Sequence, residues 1–377
     1  MDEHAIRFMQ HALALARKGI GLASPNPTVG CVIVREGQIV GEGFHQYESR
    51  DHAEIVALKA AGEKARGATL YVTLEPCNHT SRTGPCAEAI IAAGMQRVVA
   101  AMDDPNPVNS GRGFERLRAA GIEVFTGVCE DEARRLNEAF AWWIRTKRPF
   151  VTLKSALTLD GQLALPHPGK KAATRSQKHS ASEWITSEES RAEVQRMRHA
   201  SDALLTGIGT VLADDPLLTD RSGLARRKRL LRVVLDSKLR LSPKARIVET
   251  TDNDLLVFTS AKLNSQRARK LLDAGVELMP VGTMGKHINL KSVLVELGRR
   301  EITGVLLEAG PTLNGAALAA SIVHKLFLFY APKIAGDNRV PFAIAPNLKM
   351  PALQNVRTHQ FGPDIGIEAY LRDVYKK

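Results

Sequence analysis

Long apolar runs and cysteines are the scarce features of this 377-residue chain. No stretch of about 18 apolar residues occurs, so no membrane span is expected. The N-terminus MDEHAIRFMQ opens on acids where a signal peptide carries a basic and then an apolar segment, and the protein is expected in the cytoplasm. Four cysteines are too sparse for a disulfide scaffold in a chain of this length; in a reducing compartment a close pair points to metal binding or catalysis. The length itself exceeds the usual reach of one hydrophobic core and argues for two domains.

A formal net charge of +12 first suggests a polyanionic partner. The excess is unevenly spread. Up to Lys147 there are 17 Lys and Arg against 18 Asp and Glu, and beyond it 35 against 22, so the first part is near neutral and the second strongly basic. A solvated loop is the simplest reading of local basic runs such as RRKR (Arg226 to Arg229) and the lysine-rich HPGKKAATRSQKHS, and the favoured one for the arginine run.

Periodicity divides the chain at the same place. Ile6, Met9, Leu13 and Ala16 recur at helical spacing before Gly19. VGCVIV and QIVGEGF, separated by REG, form a hairpin pattern. Helices from His52 to Ala61, Pro85 to Ala93 and Phe114 to Ala120 then alternate with strands ATLYVTL, RVVAAM and IEVF, which predicts a three-layer α/β domain over residues 1–147. One long helix, EDEARRLNEAFAWWIRT, should end before Pro149. Residues 148–377 alternate again, with strands FVTLKSA, DALLTG, LRVVLD, DLLVFTS, GVLLEAG and KLFLFY and four intervening helices, and form a second α/β domain.

The chemistry concentrates in DHAEIVAL and EPCNHTSRTGPC. His52 and Glu54 fall in the first turn of a predicted helix, about 200° apart around it, so one ligates a metal while the other leans over it. Cys77 follows a strand end and Cys86 starts a helix, where unpaired N–H groups and the positive dipole end favour a thiolate. One imidazole and two thiolates leave the fourth tetrahedral position open to water, the arrangement of a catalytic zinc. Zinc lowers the pKa of such a water toward neutrality, and Glu54 is placed to shuttle its proton to a leaving amine. His52-Ala53-Glu54 with Pro76-Cys77 matches the H-x-E…P-C-x-x-C signature of zinc-dependent nucleobase deaminases, except that eight residues separate the cysteines. Cys31, in an apolar strand, and Cys129, in a polar connection, lack metal spacing.

That insertion narrows the family. EPCNHTSRTGPC, with SPNPTVG (Ser24 to Gly30) and HAE, resembles the deaminase half of the bifunctional riboflavin-biosynthesis deaminase/reductases. Their usual P-C-x-H-x-G-R-T-P-P-C is altered here to Ser81 and Gly84, changes of loop freedom more than of ligand chemistry. The resemblance implies a cytidine-deaminase-like α/β/α domain with His52, Cys77 and Cys86 as ligands of one zinc ion, Glu54 as catalytic proton carrier, and Asn26, His45 and His79 as substrate contacts. The second half, through KSALTLDG, SEWITS, MRHASDALLTGIGTVLADDPLLTDR, VVLDS and LLEAGPTLNGAAL, resembles the reductase half. That resemblance implies a dihydrofolate-reductase-like α/β fold. It maps NADPH to Leu157, Trp184, Thr210, Asp214, Ser237 and the run Gly310, Pro311, Thr312, Leu313, Asn314, Gly315 and Ala316. It maps the substrate to Lys154, Ser182, Arg198, Leu218, Arg221 and Glu308. Physical reasons exist for some of these: Gly310 permits close backbone approach at a helix start, Trp184 offers a flat apolar face, and arginines clamp phosphates bidentately.

The expected function is therefore zinc-dependent deamination of a phosphoribosylamino-diaminopyrimidinone followed by NADPH-dependent reduction of its opened ribose, with a homo-oligomer as the expected assembly and neither nucleic acid nor membrane as partner. Two other readings compete with it. A transfer-RNA deaminase with a basic appended domain needs a basic track at the deaminase pocket, which the near-neutral first part does not supply. A purely structural zinc needs a fourth protein ligand, for which His79 is the nearby candidate.

Overall fold

The computed structural model describes residues 3–79, 84–163, 184–285, 287–336, 340–346 and 351–376. Two compact units emerge. One takes Met1–Lys147 together with the short stretch Ala225–Lys228; the other takes Arg148–Leu224 and Arg229–Lys376.

The first unit is built from α1 (Glu3–Lys18), β1 (Gly30–Arg35), β2 (Gln38–Phe44), α2 (Ala53–Ala61), β3 (Thr69–Val72), α3 (Cys86–Ala92), β4 (Arg97–Ala100), α4 (Arg112–Ala119), β5 (Glu123–Thr126), α5 (Glu130–Leu136) and α6 (Glu138–Thr146). Its five strands lie in the order β2-β1-β3-β4-β5. β1 is antiparallel to β2 and β3, whereas β3, β4 and β5 run parallel. Five successive residues of β1 are buried, so both faces of the sheet centre are covered, as a three-layer arrangement requires. Glycines set the layer spacing: a Cβ on Gly30 would lie 2.0 Å from the Ala12 carbonyl of α1, and one on Gly41 2.3 Å from the Ala57 carbonyl of α2.

The single helix predicted over residues 130–146 is broken. Asn137 leaves helical geometry at φ −113° and ψ 13°, separating α5 from α6. Its buried carboxamide accepts from Thr28 N at 2.8 Å and donates to Thr28 O at 3.0 Å, a local competition with helix bonding that asparagine favours. The same bonds anchor the SPNPTVG loop.

The second unit comprises β6 (Phe150–Thr158), α7 (Glu188–His199), β7 (Ala203–Gly207), α8 (Ile208–Asp214), β8 (Leu231–Leu235), α9 (Arg246–Glu249), β9 (Leu255–Thr259), α10 (Gln266–Asp273), β10 (Glu277–Pro280), β11 (Thr283–Met284), β12 (His287–Ile288), α11 (Leu290–Arg299), β13 (Gly304–Leu307), α12 (Pro311–Ala319), β14 (Lys325–Ala331), β15 (Gln354–Phe361) and β16 (Asp364–Tyr370). Nine strands form one sheet in the order β10-β9-β8-β7-β13-β6-β14-β16-β15. The run from β10 to β14 is parallel and β16 and β15 close it antiparallel. Near-continuous apolar burial along β7, β9 and β13 is what a parallel sheet covered on both faces demands.

The chain leaves β7 toward β8 on one side, and leaves β13 toward β14 on the other. Those two neighbouring strands therefore flank a switch point, and a crevice opens beyond their carboxyl ends.

Candidate active sites

In the first unit, the loops after β2 and β3 and the start of α3 converge. His52 is the N-cap of α2, in extended geometry, not part of its first turn. That half-step outside the helix turns its ring toward the cysteines while Glu54, inside the helix, is buried beside them. His52 Nδ1 lies 3.2 Å from Cys86 Sγ and 3.5 Å from Cys77 Sγ. All three donor atoms fall within 4.8 Å of one another. Tetrahedral zinc with bonds of about 2.0 Å to nitrogen and 2.3 Å to sulfur puts N and S about 3.5 Å apart, so the triangle has the right size. His79 is not among these donors, and among the described residues no fourth protein ligand completes the set.

The electrostatics agree with a cation site. Cys77 is drawn down to about 4, first by its bond with Cys86 and then by His52, while its own burial opposes the shift. His52 is pushed up to about 9, chiefly by its bond to Cys77. The Cys86 thiol is raised by donating to Cys77 and by burial. Uptake of a dication would release the His52 and Cys86 protons and give each donor the form that ligates. Burial raises Glu54, a carboxyl 4% exposed, above the usual carboxylate range, which suits a group that must hold and return a proton.

His45 is buried behind the site, its ring edge-on to His52 at 5.3 Å between centroids. Its Nδ1 meets Asp51 O at 2.9 Å, so Nδ1 carries the proton and Nε2 accepts from Asn26 Nδ2 at 3.0 Å. Asn26 and His45 are thus brought together. His79 has a buried Nδ1 with no protein partner. Ser81 lies outside the described residues.

In the second unit, Lys154 on β6, Arg198 near the end of α7 and Glu308 just past β13 form one buried cluster. Arg198 Nε and Nη2 donate to the two Glu308 oxygens at 2.7 and 3.1 Å, and Lys154 Nζ stands 3.5 Å from Oε2. Against its own burial, Arg198 and Lys154 hold Glu308 down to about 2. Its place in a helix alone makes an exposed arginine the likelier account of Arg198; the structure buries it, because α7 packs this face inward. Arg198 Nη1 also donates to Thr219 O, and exposed Arg221 donates to Thr219 Oγ1, so both cations border the Leu218 loop. Leu218 is itself buried with φ +54°. Lys154, Arg198 and Arg221 against the Glu308 and Asp220 carboxylates leave the pocket net positive. His199, paired with Asp220 at 3.1 Å, braces the same loop; a lone histidine beside an arginine gave no sequence signal of it.

At the switch point, a Cβ on Gly310 would meet only Thr210 Oγ1, at 4.0 Å, so the backbone stands open to a ligand. Gly310 caps α12 without a side-chain partner, leaving the first-turn N–H groups free to hold phosphate. Pro311, Thr312, Leu313 and Ala316 lie along α12. Ser237 follows β8, Asp214 is exposed at the end of α8, and Trp184 is 44% exposed with Arg191 over its ring. Leu157 is in the core, and Asn314 and Gly315 are turned into the protein: Asn314 Nδ2 donates to Phe342 O at 2.9 Å. Asn314 Oδ1, and Thr206 Oγ1 on β7, are buried without partners. Ser182 lies outside the described residues.

Comparisons with known proteins fall on both halves. Residues 2–102 match the cytidine and deoxycytidylate deaminase zinc-binding region, and residues 149–367 match the RibD C-terminal domain. The riboflavin biosynthesis protein RibD of Aquifex aeolicus is 46% identical over 88% of this chain and 87% of its own length. That of Escherichia coli is 40% identical over 95% of this chain and 97% of its own. Among solved structures, Acinetobacter baumannii RibD superposes with a TM-score of 0.82 at 36% identity, covering 98% of this chain and 99% of that one. A diaminohydroxyphosphoribosylaminopyrimidine deaminase/5-amino-6-(5-phosphoribosylamino)uracil reductase from Thermotoga maritima gives 0.81 at 37%, over 97% and 98%. No described helix is long and apolar enough to cross a membrane.

Proposed function

The chain belongs to the RibD family of bifunctional riboflavin-biosynthesis deaminase/reductases, and from that premise we propose how its residues divide the work. Residues 1–147 deaminate 2,5-diamino-6-(5-phosphoribosylamino)pyrimidin-4(3H)-one, and residues 148–377 then reduce the ribosyl group to ribityl. The observation that carries the first assignment is the His52, Cys77 and Cys86 triangle with the raised, buried Glu54 at its edge. Zinc held there supplies an activated water. Glu54, buried beside the three donors, is the group that would hold a proton and pass it to the departing amine. Asn26, oriented by His45, and His79, with its unpartnered Nδ1, are the groups facing the pyrimidine.

In the second unit a bound NADPH would supply the hydride. The open backbone at Gly310 and the first-turn N–H groups of α12 would hold its phosphates, with Thr210 beside Gly310. Lys154, Arg198 and Arg221 hold the substrate's phosphate and opened ribose, with Glu308 keeping two of them in place. The setting we infer is cytoplasmic, since the four free thiols suit a reducing compartment. A polynucleotide substrate is disfavoured by the charge of residues 1–147, 17 basic against 18 acidic side chains. The relatives also match both halves, whereas a nucleic-acid deaminase explains one.

The test is to follow ammonia release and NADPH oxidation separately on the pyrimidine phosphoriboside. Glu54→Ala should abolish ammonia release and leave NADPH oxidation on already deaminated substrate at the parent rate. Loss of both together refutes the division.

A further inference from the structure

Of the three zinc-site ligands Cys77 alone is neither in a helix nor at its cap, and the structure shows what keeps its loop still. Its carbonyl accepts from Ala87 N at 3.1 Å, and its sulfur from Cys86 N at 3.3 Å, which ties it to α3. The opposite side is held by Asn109, 1% exposed, from the loop between β4 and α4. Asn109 Oδ1 accepts from Asn78 N at 2.8 Å, and Asn109 Nδ2 donates to Pro76 O at 3.4 Å. One carboxamide thus spans the residues immediately before and after the ligand. The amide's orientation is dictated, because Asn78 N–H requires an acceptor.

Asn109 is itself locked. Glu75, 3% exposed, accepts four backbone N–H groups, two from the same loop and two from the first turn of α4: Asp104 at 3.0 Å and Gly111 at 2.9 Å on one oxygen, Gly113 at 2.8 Å and Phe114 at 3.3 Å on the other. Gly113 has no room for a side chain, since a Cβ there would sit 2.0 Å from Pro76 O. We propose that Asn109, supported by Glu75, is a positioning residue that holds Cys77 preorganised for zinc and so sets how long the metal stays. This rests on the zinc reading of the site. Neither side chain touches the reacting atoms; both act through the Cys77 backbone.

The experiment measures zinc content and zinc release to a chromogenic chelator in the full-length protein, with NADPH oxidation as a check that the second unit is intact. Loss of an outer partner of a metal ligand costs about 10- to 100-fold in metal affinity. Asn109→Ala should therefore release zinc at least about tenfold faster than the parent. Should that variant fail to fold, Glu75→Gln decides: its amide presents a donor to two of the four N–H groups and should speed release in the same direction. A purely structural contribution would lower the melting temperature of zinc-loaded and zinc-stripped protein alike and leave release unchanged, which overturns the proposal. A parent protein without zinc overturns the metal reading and the positioning role with it; zinc in the parent with unchanged release in the variants overturns the positioning role alone.

Discussion

Gly315→Ala is a one-methyl change with a calculable consequence. Gly315 lies on the buried side of α12, and an ideal Cβ there would stand 1.9 Å from Ile344 O, 2.4 Å from Ile344 C and 2.9 Å from Ile344 N. Ordinary contact begins near 3.4 Å, so backbone must separate from backbone by about 1.5 Å. No flexible side-chain end is available to yield. Two hydrogen bonds cross this seam, Ile344 N to Pro311 O at 2.9 Å and Asn314 Nδ2 to Phe342 O at 2.9 Å. Losing both costs about 1–3 kcal/mol, the net worth of two hydrogen bonds.

The first of those bonds is made by Pro311, in the opening turn of α12, so the displacement reaches the turn assigned to the NADPH phosphates. Misplacing reacting groups by about 1 Å costs on the order of 100-fold in rate. Gly315→Ala should lower kcat/KM for NADPH oxidation on deaminated substrate by about that factor and weaken NADPH binding measured directly, for example by fluorescence quenching. Ammonia release should stay within about twofold, which shows the protein is folded. A kcat/KM within about threefold of the parent would refute the reasoning, since it would mean residues 340–346 follow the helix at no cost to the crevice.

Two further outcomes follow from charge. Arg221→Ala removes one cation from the Lys154, Arg198 and Glu308 cluster and should raise the reductase KM for phosphorylated substrate by about 10- to 100-fold, the worth of a charge-assisted bond, while sparing deamination; an unchanged KM would remove Arg221 from the phosphate pocket. His324, 2% exposed, accepts from Val151 N through Nδ1 at 2.9 Å, and burial first, with Arg372 second, lowers it from 6.5 to about 3. Its folded pKa lies below its unfolded one, so its contribution is full above pH 6.5 and is lost as pH falls toward 3. At pH 5 the loss is about 2 kcal/mol, and His324→Gln should flatten the acid limb of denaturant-unfolding free energy against pH. An acid limb as steep as the parent's would show that other groups carry it.

Legibility in the sequence tracked how local each signal was. The strands and helices around Cys31, Leu70 and Val305 were plain from apolar runs and their period. β15 and β16 were not, because QNVRTHQF is almost wholly exposed and carries no alternation that marks a strand; its pairing with β16 makes it one. α8 leaves no such trace in GIGTVLAD, being only seven residues long behind a glycine N-cap. The break at Asn137 depends on Thr28, 109 positions away, and no window along the chain contains both. Among the site residues, His52, Glu54, Cys77 and Cys86 were readable because few residue types ligate zinc or carry a proton near neutrality. Asn314 and Gly315 fell within a recognisable run, yet only packing against Phe342 and Ile344 separates them from the neighbours that face the crevice.

Both units place their chemistry where strands end and loops begin, and the physical reason is the same in each. A parallel sheet satisfies its own backbone polar groups and is stiff, but its carboxyl ends release loops whose N–H groups and side chains are free to be aimed. In the first unit Cys77 follows β3 and the Asn109 loop follows β4, the adjacent parallel strand, so the clamp on Cys77 inherits the sheet's register. In the second, Glu308 follows β13 and the Thr210 helix follows β7, again parallel neighbours. The groups doing chemistry are few in type and announce themselves; those that hold them need only a carboxamide, a carboxylate or a missing side chain within reach of backbone. Such holders recur at many positions in any sequence. Only the adjacency of two strand ends singles out Asn109 and Glu75 from the chain's other asparagines and glutamates.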